Sequence, residues 1–283
     1  MSADMNKTEK KAIPLTEEEK KSPIAKYYKE TLATPNPKLM GILSQGPMDP
    51  AKALMPDEIE KMYEPGYMEV ETGYCTLDNG AGYLCVNNVF PGVTMEMMQW
   101  WFAWHALEQI RYRIWNPVCH PTIAVADVDR EYIQNLDVPL AKKSQGVVHF
   151  VIEDIGGGPQ NIVIHFLNHD EMNGISDEKL AASHQTLFGG YGIVSSRGKD
   201  APIDKAPSIM MHFCRETEYG VEFRTRFWMG YRWNKGIPMC VLPQGVRIPE
   251  VVPMGLAFHN VEEYSHLASI LPDLYQEFGH LPL

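Results

Sequence analysis

The sequence predicts an α+β protein, and three runs of residues carry that expectation. Val221–Tyr231 alternates Val221, Phe223, Thr225, Phe227 and Met229 against Glu222, Arg224, Arg226 and Trp228, the period of two expected of a strand. Around residues 95–110, Met95, Met98, Trp101, Phe102, Trp104 and Ile110 place apolar groups on almost every side of a helix, which is therefore expected to be buried. Toward the C-terminus, Leu267, Ile270, Leu271 and Leu274 recur at helical spacing within Leu256–Phe278. Several antiparallel strands, an internal helix and a closing helix packed on the sheet make an α+β fold.

Taken in order, residues 1–22 are rich in Lys and Glu and nearly free of large apolar residues, so they are expected to be mobile or locally helical. Thr16 with Glu19 has the form of a capping box. From Pro23 to Gly66 the chain is punctuated by seven prolines, with a short helical candidate at Ala51–Met62. Residues 1–66 thus form an arm lying over a body of residues 67–283. The arm either meets a second copy or wraps its own body. In the body, Tyr83–Phe90 reads as a strand, and Pro91-Gly92 turns into a helix capped by Thr94 that runs to about Ile114. Further strands are expected at Val147–Ile155, Asn161–Leu167 and Ile209–Arg215. Gly156-Gly-Gly158 lacks the Gly-Lys-Ser/Thr ending and following helix of a phosphate loop, so it is a hairpin turn.

Composition narrows the function. At 283 residues with 45% hydrophobic and 22% charged residues, the chain is an ordinary globular protein. A net charge of −11 argues against nucleic acid or an anionic membrane as partner. The five cysteines are odd in number and include no C-x-x-C pair, which argues against a disulfide framework or a cysteine zinc cluster and points to a reducing cytoplasm. No signal segment or apolar run of membrane-spanning length is present. No Gly-x-Ser-x-Gly elbow supports a serine hydrolase.

Histidines and carboxylates remain. His259 and Glu263 lie four apart in a helical setting, hence on one face, where both can reach one metal ion. The same spacing at His149/Glu153 and His212/Glu216 falls in strands, where it separates the residues by roughly 13 Å. His120 is held between Pro117 and Pro121. Glu153 shares a strand face with Val151 and His149, and burying it is costly unless it is paired or metal-bound. His105 and His165 read as core histidines, and Arg224 with Arg226 as a solvated face.

The runs Trp100-Trp-Phe-Ala-Trp-His105, Arg111-Tyr-Arg-Ile-Trp-Asn-Pro-Val-Cys-His120, Glu153-Asp-Ile-Gly-Gly-Gly158, Gly220–Gly230 and Ala257-Phe-His-Asn-Val-Glu-Glu263 resemble, in order and spacing, the 2,4-diacetylphloroglucinol hydrolase family, which includes phloretin hydrolases. The resemblance covers roughly residues 70–278. It implies a helix-grip fold, with a curved antiparallel sheet around a C-terminal helix, and a homodimer with the N-terminal portion at its interface. It also implies a zinc site at His120, Glu153, His259 and Glu263, with Tyr112 and Tyr219 orienting ring hydroxyls. The family's asparagine after the first histidine ligand has no counterpart in Pro121-Thr-Ile-Ala124, which favours a larger acyl group such as that of phloretin. The expected activity is zinc-dependent cleavage of the carbon–carbon bond between an acyl group and a phloroglucinol ring. Glu153 or Glu263 would be the base, and His212 would move the ring proton. The Trp and Met side chains of residues 95–104 either wall an aromatic pocket or simply fill the core, core filling being favoured. A non-haem iron oxygenase and a non-enzymatic carrier of aromatic ligands are the alternatives.

Overall fold

The computed structural model describes residues 11–155, 158–195 and 206–283. After 3-10 turns at Glu19–Lys21 and Pro23–Tyr27 comes the helix α1 (Pro37–Leu43), followed by β1 (Gly73–Thr76), β2 (Gly82–Pro91), α2 (Met95–Trp104), α3 (Gln109–Trp115), β3 (Thr122–Val125) and α4 (Asp127–Gln134). Next come β4 (Val148–Glu153), β5 (Gln160–Phe166), α5 (Asp177–Ala182), β6 (Gln185–Ser195), β7 (Ala206–Thr217) and β8 (Gly220–Met229). The hairpin β9 (Tyr231–Asn234) and β10 (Ile237–Cys240) precedes the 28-residue α6 (Val251–Phe278). Eight strands form one antiparallel sheet in the order β1-β2-β8-β7-β6-β5-β4-β3, and α6 packs mainly over β2 and β1. This is the helix-grip arrangement.

The expected helix to Ile114 is in fact two. A single 3-10 turn at His105–Leu107 ends the first, and Glu108 is extended (φ −142°, ψ 139°). The Arg111 guanidinium donates to the Trp104 carbonyl freed by this break, and the His105 Nδ1 bonds to the Trp101 carbonyl at 2.7 Å. Pattern alone cannot show such a break, because apolar residues continue through it. Ala51–Met62 likewise resolves into two 3-10 segments, Pro50–Lys52 and Pro56–Tyr63, each opened by a proline. Strands β1, β3, β6, β9 and β10 are additional to the expected set. In β6, Gly189, Gly190 and Gly192 mask strand propensity. Gly190 has a packing reason, since a Cβ there would lie 1.9 Å from the His165 carbonyl oxygen.

Arg224 and Arg226 are not solvated. Both side chains are fully buried on the outer face of β8, where Glu71 bonds the guanidinium of each, at 2.5 and 2.6 Å. Residues 54–62 cover this face: Leu54, Ile59 and Met62 pack with Trp228, Phe213 and Met211, and the Trp228 indole donates to the Leu54 carbonyl. Across the sheet, Val221, Phe223, Tyr264 and Leu267 share the inner core. Thr16 and Glu19 do form the reciprocal capping box. Strands β4 and β5 are paired, but the first two residues of the turn expected at Gly156-Gly-Gly158 lie outside the described residues, as do residues 1–10 of the arm.

Candidate active site

Three elements deliver four side chains to one point on the inner face of the sheet. His120 is the fifth residue of the six-residue link (116–121) from α3 to β3. There the buried Asn116 accepts from the Val118 and Cys119 amides through its side chain, while its carbonyl accepts from the His120 amide at 2.9 Å. The Asp154 amide donates to the Cys119 carbonyl at 2.9 Å, tying this link to the end of β4, where Glu153 sits. His259 and Glu263 come from successive turns of α6. That helix is registered against α3 by His266, whose Nδ1 accepts from the Ala33 amide and whose Nε2 therefore donates to the Ile114 carbonyl.

One ligand atom from each of His120, Glu153, His259 and Glu263 lies within 4.8 Å of all the others. His259 Nε2 is 2.8 Å from Glu153 Oε1 and 3.3 Å from Glu263 Oε2. His120 Nε2, fully buried, is 3.5 and 3.3 Å from the same two oxygens yet has no hydrogen-bond partner. Burial pushes the Glu153 carboxyl up, but the imidazoles of His120 and His259 hold it well below the usual carboxylate range. Burial pushes both imidazoles down, and the two glutamates, with Cys119 at His259, lift them above the ordinary histidine range. Two buried carboxylates here thus require positive charge between them. An orphaned imidazole nitrogen aimed at that point, with two-nitrogen, two-oxygen donors, fits a divalent transition metal.

The group opens on a cavity of about 280 Å³ between α6, α2–α3 and the inner face of β4–β8. Tyr112 stacks on His120 with ring centroids 4.0 Å apart and donates from its hydroxyl to Glu153 Oε2 at 3.1 Å.

Comparison with known proteins gives this geometry its family. Residues 54–276 match the model of the DAPG hydrolase PhiG domain. The chain belongs to that family. The phloretin hydrolase of Eubacterium ramulus is 33% identical over 94% of this chain and 93% of its own. The 2,4-diacetylphloroglucinol hydrolase of Pseudomonas protegens is 28% identical over 91% of this chain and 85% of its own. The solved structure of Ara h 8.0201 aligns with 69% of this chain and 99% of its own at a TM-score of 0.39 and 8% identity.

Within this hydrolase the other candidates fare differently. His212 lines the cavity with its Nδ1 2.9 Å from the Thr225 hydroxyl, and burial pushes its pKa down to about 3, so it is neutral. Tyr219 is not brought to the site. It occupies the tight β7–β8 turn, 72% exposed, where a short hairpin leaves its side chain no path inward. Tyr264 takes a place at the cavity wall that sequence reasoning missed, although it belongs to the apolar stripe Val261, Tyr264, Leu267 and Leu271 of α6. His105 is a hydrogen-bonded core histidine that also borders the cavity, and His149 does so too. His165 is half-buried and stacks on Tyr191 outside the cavity. Of the residues in α2, only Phe102 reaches the cavity, while Trp100, Trp101 and Trp104 fill the core.

Proposed function

We propose that this hydrolase cleaves the carbon–carbon bond joining an acyl group to a phloroglucinol-type ring, with zinc held by His120, Glu153, His259 and Glu263. The favoured substrate is phloretin, giving phloroglucinol and 3-(4-hydroxyphenyl)propionate, ahead of 2,4-diacetylphloroglucinol. The observation that carries this reading is the convergence of four candidate metal donors on the wall of a largely apolar cavity beside the Tyr112 hydroxyl. Relatives named for these two substrates support it.

An aryl ketone is a poor electrophile and an aryl carbanion a poor leaving group. A phloroglucinol ring relieves the second difficulty by taking a proton at the acyl-bearing carbon, so that the bonding electrons depart into an enolate. Zinc supplies Lewis acidity that makes water nucleophilic near neutral pH. Glu153 or Glu263 takes the proton of the attacking water, each being buried and within reach of an imidazole that shares the charge. Tyr112, fixed by its stacking on His120, presents its hydroxyl to the ring hydroxyls and to Glu153. His212, neutral and oriented by Thr225, moves the ring proton. The net reaction consumes one water and yields the free ring and a carboxylic acid.

Product analysis on a panel of acylphloroglucinols, using protein of measured zinc content under nitrogen, tests the reading. Cleavage without oxygen consumption is expected. A requirement for dioxygen would replace it with oxygenase chemistry, and binding without turnover by the zinc-loaded protein would leave only a carrier. We further expect a homodimer with residues 1–66 at its contact. Sedimentation at the 32.1 kDa of a single chain would remove that element.

A further inference from the structure

The cavity wall contains a glycine that the backbone does not need. Gly192, in the interior of β6, has no positive φ, and a Cβ built on it would meet one atom within 4 Å, the Ile162 Cγ2 at 3.7 Å. Gly189 and Gly190 differ, since a Cβ there would meet Met211 Sδ at 2.8 Å and the His165 carbonyl oxygen at 1.9 Å. A glycine inside a strand weakens it, through lost chain entropy and lost packing. At position 192 neither conformation nor a close neighbour compensates that loss. What the missing side chain leaves is space, and the space is in the cavity.

The sheet register shows its shape. Ile164, Gly192, Ser208 and Met229 form one cross-strand row on the inner face. Two small residues thus stand side by side, at the roughly 5 Å spacing of paired Cβ atoms. Ile162 and Val194 flank this row on one side and Phe166, Met210 and Phe227 on the other, all lining the cavity, while Gly190, between Phe166 and Met210, leaves no space because the His165 carbonyl fills its Cβ position. The result is a notch in an otherwise filled floor. Around it, toward the start of α6, the lining is apolar: Pro207, Met229, Ile248, Val252 and Leu256.

The part of the cavity toward α3 and the β4 end of this row has a different chemistry. Tyr112, Tyr264, His105, His212 and His149, which pairs with Ile164 two strands from Gly192, supply hydrogen-bonding groups there. The His105 Nδ1 donates to the Trp101 carbonyl, which leaves its Nε2 as an acceptor. His149, 2% exposed, has its Nε2 without any partner. A buried imidazole nitrogen left unpaired at a cavity wall marks a place for a ligand hydroxyl.

We infer that the cavity is divided, with the hydroxylated ring held by the imidazole and tyrosine part, and that Gly192 and Ser208 form the floor of a subsite for a long arylalkanoyl tail. Gly192 is then a specificity-determining position, because any side chain there occupies the space the tail needs. This inference rests on the acylphloroglucinol reading above. An acetyl group ends one carbon beyond the carbonyl, whereas the phloretin tail carries two methylenes and a phenol ring.

The test compares phloretin with monoacetylphloroglucinol on Gly192→Ala, Gly192→Val and Ser208→Val, all zinc-loaded. The ratio of kcat/KM for phloretin to that for the acetyl compound should fall stepwise from glycine to alanine to valine, by at least about tenfold at valine. Ser208→Val should lower it in the same direction. The alanine variant adds one methyl into open space, so it keeps the series readable should valine perturb folding. An unchanged ratio, or equal loss on both compounds, overturns the inference, the second outcome placing the ring rather than the tail over Gly192. Phloretin affinity is read independently by quenching of tryptophan fluorescence. If wild-type protein cleaves neither compound, the proposed reaction fails, while weaker phloretin binding in the Gly192 series still supports the notch and unchanged binding removes it.

Discussion

His120 and His259 reach the same point from a proline-bounded loop and from the middle of a long helix, and neither position is explained by packing alone. Each is buried, and each faces the two carboxylates Glu153 and Glu263. Replacing either histidine by alanine should therefore abolish turnover and lower bound zinc well below one per chain, since a lost ligand in a four-donor site is not replaced by an equivalent donor. Plasma emission analysis of the two purified variants checks this, and full zinc occupancy in both would refute the ligand set. Tyr112→Phe keeps the stack on His120 and removes only the hydroxyl that bonds Glu153. It should reduce kcat/KM by about 1–3 kcal/mol, with metal content unchanged. Loss of zinc in this variant would show that the hydroxyl supports the metal site rather than the substrate. The helical pair was readable from its spacing, and Glu153 from the cost of a carboxylate on an apolar strand face. Tyr264 and His149 were not, because a tyrosine in an apolar stripe and a histidine in a strand look like core until a cavity is seen beside them.

At the scale of the element, β8 shows why alternation alone misjudged two residues. Its inner residues Val221 and Phe223 were expected in the core, and they are. Its outer residues Arg224 and Arg226 carry charge, which in a two-layer protein means solvent. Here a third layer, residues 54–71, covers them and supplies Glu71 as the shared counter-ion. Burial raises the Glu71 carboxyl, but Arg226 and Arg224 outweigh it and hold its pKa at about 2, below the ordinary value of 4.5. A carboxyl depressed in the folded state contributes stability that is fully present above about pH 4.5 and is lost as pH falls toward 2. The contribution is about 3 kcal/mol. Denaturant midpoints for wild type should accordingly fall over that window. Glu71→Gln should be destabilised at pH 7 and show a flatter profile below pH 4.5. An identical acid slope in the variant would assign the acid sensitivity elsewhere.

On the scale of the whole molecule, the N-terminal segment packs against the same body as the sheet. Leu39 and Leu43 pack with Ala257 and Val261 of α6, while Leu54, Ile59 and Met62 close the outer face over Trp228. Tyr27 and Lys26 hold Glu277 near the end of α6. The prolines that made this stretch read as an arm do prevent long helices, but they leave short turns that each drive one or two apolar side chains into the body. Removing residues 1–66 would return those five side chains to nothing and expose their partners, a loss of about 10 kcal/mol, comparable with the entire stability of a domain. The truncated chain should therefore show no cooperative thermal transition and should bind dye as an expanded state does. Single changes give the graded version: Ile59→Ala or Met62→Ala should cost about 2–5 kcal/mol in urea while leaving the four candidate metal donors untouched. If instead the truncated chain melts cooperatively and still binds one zinc, the sheet and α6 are self-sufficient, and the covering segment is an accessory whose purpose lies in contact with a second copy.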